Sequence, residues 1–269
     1  MLKDISLGRF YDTGSILHRT DPRVKMILYI IYLIAIFMIK TPTALALIAL
    51  ITFIQLIVAR IPLKVIKNTV VPILPLVVFI FILNVISLTS GKVLWEWWII
   101  TVTDVGIERA VLMALRIIFL IMSTSVLLTL TTTPLKISDG LESLFSPLKV
   151  IKVPVHEMSM MMSIALRFIP TLIKETNKIM RAQVSRGADY DTGGLVNRMK
   201  GYITVLIPLF VSSFKRAEEL AVAMDARCYR GGVGKTKLNP LKITGKDILL
   251  ALIFTSAAAG VVAVDFILR

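Results

Sequence analysis

The chain has 269 residues, 56% of them hydrophobic, and a mean hydropathy of +0.82. That is more apolar than a soluble domain's ~45–50% and implies an integral membrane protein. Its net charge of +14 alternates with long apolar runs, so the basic excess reports orientation in a bilayer rather than nucleic-acid binding. One cysteine, Cys228, excludes an intrachain disulfide and a Cys-based metal cluster. His18 and His156 are too far apart for a local metal motif, so neither a cofactor nor a resident metal is expected.

Residues 1–23 are polar and lack the short apolar core of a cleavable signal. Lys3, Arg9, Arg19, Arg23 and Lys25 predict a cytoplasmic N-terminus. Val24–Ile39 and Thr43–Ala59 are apolar runs slightly short of the ~20 residues that span a bilayer, with flanking Lys and Arg able to snorkel. They predict a helical hairpin with an external turn at Pro42. Arg60, Lys64 and Lys67 then return the chain to the cytoplasm. Thr69–Leu88 is a third span, with Pro72 and Pro75 in its first turns, where a missing N–H costs least. Thr89–Glu108 is poor in Lys and Arg and is read as external, with Trp95, Trp97 and Trp98 as an interfacial belt. Ala110–Leu130 is a fourth span containing Arg116. Thr131–Lys246 holds 18 of the 31 basic residues and is read as cytoplasmic. Asp247–Leu268 is a final span. The predicted organisation is therefore an all-α membrane protein of about five spans. Residues 1–130 form an N-terminal transmembrane region of four spans, 131–246 an interfacial region of long kinked amphipathic helices, and 247–269 the C-terminal transmembrane helix. The segments Val155–Ile169 and Tyr202–Phe214 are greasy enough to dip into the bilayer and raise the count to six or seven.

Two long basic helical patterns stand out between Met158 and Gly232. In the first, Met158, Met161, Met162, Ala165, Ile169, Leu172, Ile173, Thr176 and Met180 follow the spacing of one helix face. Arg167, Lys174, Lys178 and Arg181 fall opposite. In the second, Leu206, Phe210, Phe214, Ala217, Leu220, Ala221 and Met224 are the greasy face, and Lys215, Glu218, Glu219 and Asp225 face away. Each pattern contains a proline expected to kink it, Pro170 and Pro208. Each ends on a small residue, an arginine and another small residue: Ser185-Arg186-Gly187 and Ala226-Arg227-Cys228. A lone terminal arginine ordinarily offsets the helix dipole, worth ~0.3–1 kcal/mol. Two matched cases with small neighbours, which leave the guanidinium clear for bidentate pairing, point instead to docking on a partner's carboxylates. A Met stripe is ordinarily core, but Met also serves surfaces that accept several partners.

At these residues the chain resembles the transmembrane T component, EcfT type, of energy-coupling factor (ECF) transporters. The resemblance rests on Ile207-Pro208-Leu209-Phe210-Val211-Ser212-Ser213-Phe214-Lys215-Arg216-Ala217-Glu218-Glu219-Leu220-Ala221 running into Ala226-Arg227-Cys228-Tyr229. It also rests on Ala165-Leu166-Arg167-Phe168-Ile169-Pro170 running into Ala182-Gln183-Val184-Ser185-Arg186-Gly187, and on Thr131-Thr132-Thr133-Pro134 with Asp139 and Glu142. It implies a non-catalytic subunit of an ABC-type importer in a prokaryotic cell membrane. Such a subunit joins two ATPases, which bind the ATP, to a membrane-embedded substrate-binding S component for uptake of vitamins or other micronutrients. It further implies that Arg186 and Arg227 seat in grooves on the ATPases. The coupling surface formed by Met158, Met161, Met162, Ala165, Ile169, Phe210, Phe214, Ala217, Ala221 and Met224 then meets the S component. Family tips are usually Ala-Arg-Gly; here Ser185 and Cys228 are small replacements.

Other motifs fail. Gly231-Gly232-Val233-Gly234-Lys235-Thr236 lacks the first glycine of a phosphate loop, since Tyr229 occupies that place. His156-Glu157 lacks the second histidine of a zinc-protease motif. Asp189 and Asp191 flank Tyr190 without a partner acid. Arg116, a charge inside a span, is read as pairing with Glu108, Asp104 or a backbone carbonyl, or as snorkelling. The rival readings are a stand-alone secondary transporter, for which only Arg116 qualifies as a mid-membrane ionisable group, an intramembrane enzyme, for which no constellation exists, and a dedicated metal-ion ECF subunit.

Overall fold

The computed structural model describes residues 11, 13–87, 92–97, 100–187, 194–231 and 240–268. Trp98, the Asp189–Asp191 segment and most of the failed phosphate loop lie outside them, and the side chains of Trp95 and Trp97 are likewise not described. In chain order the elements are α1 (Ile16–Arg19), α2 (Pro22–Met38), α3 (Pro42–Ala59), α4 (Leu63–Val70), a 3₁₀ turn (Val71–Ile73) and α5 (Leu74–Ser87). A hairpin of β1 (Val93–Trp97) and β2 (Ile100–Thr103) follows, then α6 (Asp104–Thr124), a π-helical segment (Ser125–Leu130) and α7 (Pro134–Leu144). A second 3₁₀ turn (Ser146–Ile151), α8 (Val155–Ser185), α9 (Leu195–Ala226) and α10 (Gly245–Ile267) complete the chain. Contacts group Gly8–Gly140 with Leu241–Arg269 in one unit and Leu141–Pro240 in another.

The chain is an all-α membrane protein. Helix α3, the run Lys64–Ser87, residues Asp104–Leu128 and α10 are each long and apolar enough to cross a bilayer. Helix α2 has 17 residues, about 26 Å at 1.5 Å per residue, and stands in the same bundle. Neither α8 nor α9 qualifies as a span. One local expectation is corrected. Pro75 lies in the first turn of α5 as expected, but Pro72 does not open the third span, because helix already begins at Leu63. Pro72, which has no N–H to donate to an i−4 carbonyl, sits instead in the tight turn that joins α4 to α5. Within the segment read as external lies an antiparallel hairpin, with Glu96 opposite Thr101 and Trp97 opposite Ile100. Thr103 caps α6 through the N–H of Gly106, 3.1 Å away, so the helix starts six residues before the predicted span at Ala110.

The bundle is built around α2, α3 and α10. Tyr32, Ala35, Ile36 and Ile39 meet Ala44, Leu45 and Ile48, and Ala258 and Val261 of α10 close the cluster. Small residues at such contacts let membrane helices approach closely, where dispersion rather than water exclusion drives association. Large apolar side chains point outward on every span: Phe37, Phe53, Phe79 and Leu252 are all more than half exposed. In a bilayer these faces meet lipid tails.

Polar ties cross the interior. Tyr32 Oη pairs with Thr52 Oγ1 at 2.8 Å, and Ser123 Oγ donates to Gln55 Oε1 at 2.9 Å. One end of the bundle is fastened by charge. Asp265, 2% exposed in the last turns of α10, accepts from Lys40 N at 2.9 Å, Thr41 N at 2.8 Å and Thr41 Oγ1 at 2.7 Å. These donors form the start of α3. Arg116 donates to the carbonyl of Ile39, the C-cap of α2, with Asp265 as its electrostatic partner. Of the partners considered for Arg116, the backbone carbonyl is the one present.

At the other end, Lys25 Nζ, 1% exposed with its residue, donates to Thr131 O at 2.9 Å and Thr132 Oγ1 at 3.1 Å. Arg23 donates to Leu241 O at 2.8 Å, and the N–H of Asp21 reaches Asp247 Oδ1 at 3.4 Å. Gly140 lies so close to Met26 that an added Cβ would stand 2.4 Å from its methyl carbon.

Two substitutions separate these ties by magnitude. Tyr32→Phe removes an ordinary interhelical hydrogen bond and is expected to cost about 0.6 kcal/mol. Asp265→Ala removes three hydrogen bonds to a charged acceptor, from Lys40 N, Thr41 N and Thr41 Oγ1, together with the electrostatic partner of Arg116, and is expected to cost about 3 kcal/mol. Thermal unfolding in detergent should show the second loss several-fold larger than the first.

Candidate docking tips and coupling surface

Helices α8 and α9, of 31 and 32 residues, and the turns that end them supply every residue predicted for docking and coupling. Each runs unbroken through its proline, Pro170 or Pro208. Their ends match in detail. Arg186 has φ −93°, ψ 7° and Arg227 has φ −91°, ψ 11°, and each is the C-cap. The following residue is left-handed in both, Gly187 at φ +87° and Cys228 at φ +57°. The N–H of Gly187 donates to Val184 O at 2.9 Å, and that of Cys228 to Asp225 O at 2.8 Å. Tyr229 N donates to Met224 O at 3.0 Å, which completes a Schellman motif at the second tip. The final turn therefore satisfies its own carbonyls and leaves the arginine side chain no capping duty.

Ser185, Arg186, Gly187, Ala226, Arg227 and Cys228 are all exposed. Neither arginine forms an ion pair with a described residue. The Ser185 hydroxyl folds back on Arg181 O at 3.1 Å, so it adds no bulk around the guanidinium. Cys228 takes a left-handed conformation that suits glycine and costs an L-residue about 1 kcal/mol.

The two helices are antiparallel. Gln183 Nε2 donates to Thr204 O at 3.3 Å, Arg216 pairs with Glu175 at 3.5 Å, and Gly231 lies beside Glu157, whose carboxylate is 3.8 Å from where a Cβ would stand. As one helix ascends in number the other descends. Arg186 and Arg227 therefore sit toward opposite ends of the pair, on the order of 37 Å apart along it at 1.5 Å per residue.

The predicted greasy face divides in two. Met158, Met161, Met162, Phe210 and Phe214 are between 49% and 71% exposed, and Ala165 is exposed as well. The Phe210 and Phe214 rings stack at 6.4 Å. Ala217, Ala221 and Met224 line an open groove against α8, opposite Ile164, Phe168 and Leu172, with Ala217 and Ala221 themselves exposed. Ile169 is half-buried. Ile164 and Phe168 were missed in the sequence because the Met stripe drew the face one position aside. The basic stripe of Arg167, Lys174, Lys178 and Arg181 is exposed as expected, as are Lys215, Glu218, Glu219 and Asp225. The bridge between Glu175 and Arg216, which lashes the two helices together, had no sequence signal of its own. His156, tested above as a metal ligand, pairs with Glu142 at 2.8 Å and ties the end of α7 to the first turn of α8.

Residues 13–238 match the cobalt transport protein family, CbiQ. Among relatives, the chain is 47% identical over 267 residues to the energy-coupling factor transporter transmembrane protein EcfT of Ruminiclostridium cellulolyticum, covering 99% of each. It is 44% identical to that of Clostridium kluyveri, over 94% of this chain and 93% of the other. With that of Bacillus subtilis it shares 42% identity, over 96% and 97%. The chain belongs to the CbiQ family, as an EcfT-type transmembrane component of energy-coupling factor transporters.

Proposed function

We propose that this subunit is a non-catalytic coupler that joins two ABC-type ATPases to a membrane-embedded S component for uptake of a vitamin or other micronutrient. The observation that supports it most is the pair of exposed arginine caps with one shared geometry, held toward opposite ends of an antiparallel helix pair. One small partner cannot reach both tips across a separation on the order of 37 Å; two copies of one groove, on two subunits, can. The basic excess supports a cytoplasmic N-terminus and cytoplasmic α8–α9. ATP hydrolysis belongs to the partners. Their closure moves Arg186 and Arg227, the helices shift against each other, and the exposed Met158, Met161, Met162, Phe210 and Phe214 surface pushes on or releases the S component, which reorients in the bilayer. The family's description as a cobalt transport protein supports a second reading, in which the S component is dedicated to a metal ion. In either reading the cargo is chosen by another chain.

Arg186→Glu and Arg227→Glu each place like charges in one dock, and each should weaken it by more than the ~0.2–1 kcal/mol of a surface pair. Because the tips are far apart, the losses should add. Each single variant should co-purify with reduced ATPase content, and the double variant with none. A double variant that assembles and transports normally would refute the proposal. Cys228→Gly should raise stability by about 1 kcal/mol in thermal unfolding, with ATPase docking at least as tight in the same pull-down.

A further inference from the structure

The turn between α7 and α8 is unused by the docking tips and by the coupling face. Its side chains are unusual. Val150 is 87% and Ile151 74% exposed, and Val150 is the most exposed large apolar side chain among the described residues. Phe145 is 50% and Leu148 37% exposed beside them. The turn is a built structure. Leu148 N donates to Phe145 O at 2.9 Å, Lys152 N to Lys149 O at 3.0 Å, and Val153 N to Leu148 O at 3.3 Å. Lys152 closes it at φ +62°, and Pro147 and Pro154 bracket it. The backbone is thus bonded inward while its greasiest side chains are thrust out. Such a cluster must be covered by something apolar.

The charges say by what. Between Glu142 and Glu157 the only ionised side chains are Lys149 and Lys152, both exposed and flanking Val150 and Ile151. An apolar tip framed by lysines, with no acidic side chain in the turn, suits the boundary of an anionic leaflet. Aliphatic groups enter the acyl layer there and the ammonium groups stay among phosphates. A chain that spans the bilayer has that surface within reach.

We infer that the Phe145–Val153 turn is an interfacial anchor, seated by Val150 and Ile151 in the headgroup–acyl boundary of a membrane containing anionic lipid and held there by Lys149 and Lys152. It gives the unit that bears the docking tips a direct purchase on lipid.

The test uses the full chain in nanodiscs of phosphatidylcholine with or without phosphatidylglycerol. Bimane is attached at Val150→Cys or Ile151→Cys in a Cys228→Gly background. The expected result is blue-shifted emission, quenched by nitroxide carried on shallow lipid positions and protected from aqueous iodide, more so with phosphatidylglycerol. Lys149→Gln and Lys152→Gln should each lower the insertion equilibrium in phosphatidylglycerol discs roughly fivefold. A probe that iodide quenches equally in both lipids overturns the inference. So does one shielded from iodide without lipid quenching, or shielded only when ATPases or an S component are added, since a protein would then cover the turn. Val184→Cys, on an exposed face near the first tip, reports labelling of a position outside the turn.

Discussion

The last carbonyls and first amides of a helix have no partner within it, and this constraint governs how the bundle is tied. The turn from α2 to α3 meets it with two charges of opposite sign. Arg116 sits at the carbonyl end of α2, where a cation is favourable, and Asp265 sits at the amide end of α3, where an anion is. Each charge is satisfied by a helix terminus. Four helices meet at this place, since Arg116 comes from α6 and Asp265 from α10. The two charges therefore act as caps for the ends of α2 and α3, and their mutual attraction is added to that.

The remaining polar contacts of the interior are weaker and more numerous. Tyr32 with Thr52 and Ser123 with Gln55 set the rotation of neighbouring helices rather than their association. Association falls to close contact along faces that carry residues such as Ala35, Ala44 and Ala258. The outward faces stay large and apolar, so the same helix reads as continuous hydrophobic run in sequence and as two unlike sides in the fold.

That difference explains what was legible beforehand. The spans follow from hydropathy, and the arginine tips follow from two local patterns, because the signal for each lies within a few residues. Asp265 passed unremarked in the last span and Lys25 was read only as an orienting charge, because their partners stand 224 and 225 residues away for the one and 106 and 107 for the other. The 3₁₀ turn at Pro72 was placed at a helix start because an amphipathic preceding helix, Leu63–Val70, looks like a basic loop when only charge is read. On α8 and α9 the exposed basic stripe was legible, while the division of the greasy face into groove and open surface was not. Helical spacing identifies a face but does not say which half of it a neighbour takes.

The chain leaves the Gly8–Gly140 segment through Thr131–Gly140 and returns at Leu241. The outgoing connector is held by Lys25 on Thr131 and Thr132 and by Met26 against Gly140. The incoming one is held by Arg23 on Leu241 and by Asp21 on Asp247. Both grips belong to one short segment, Asp21 to Met26, so the outgoing and incoming connectors are fastened at the same place, the root of α2.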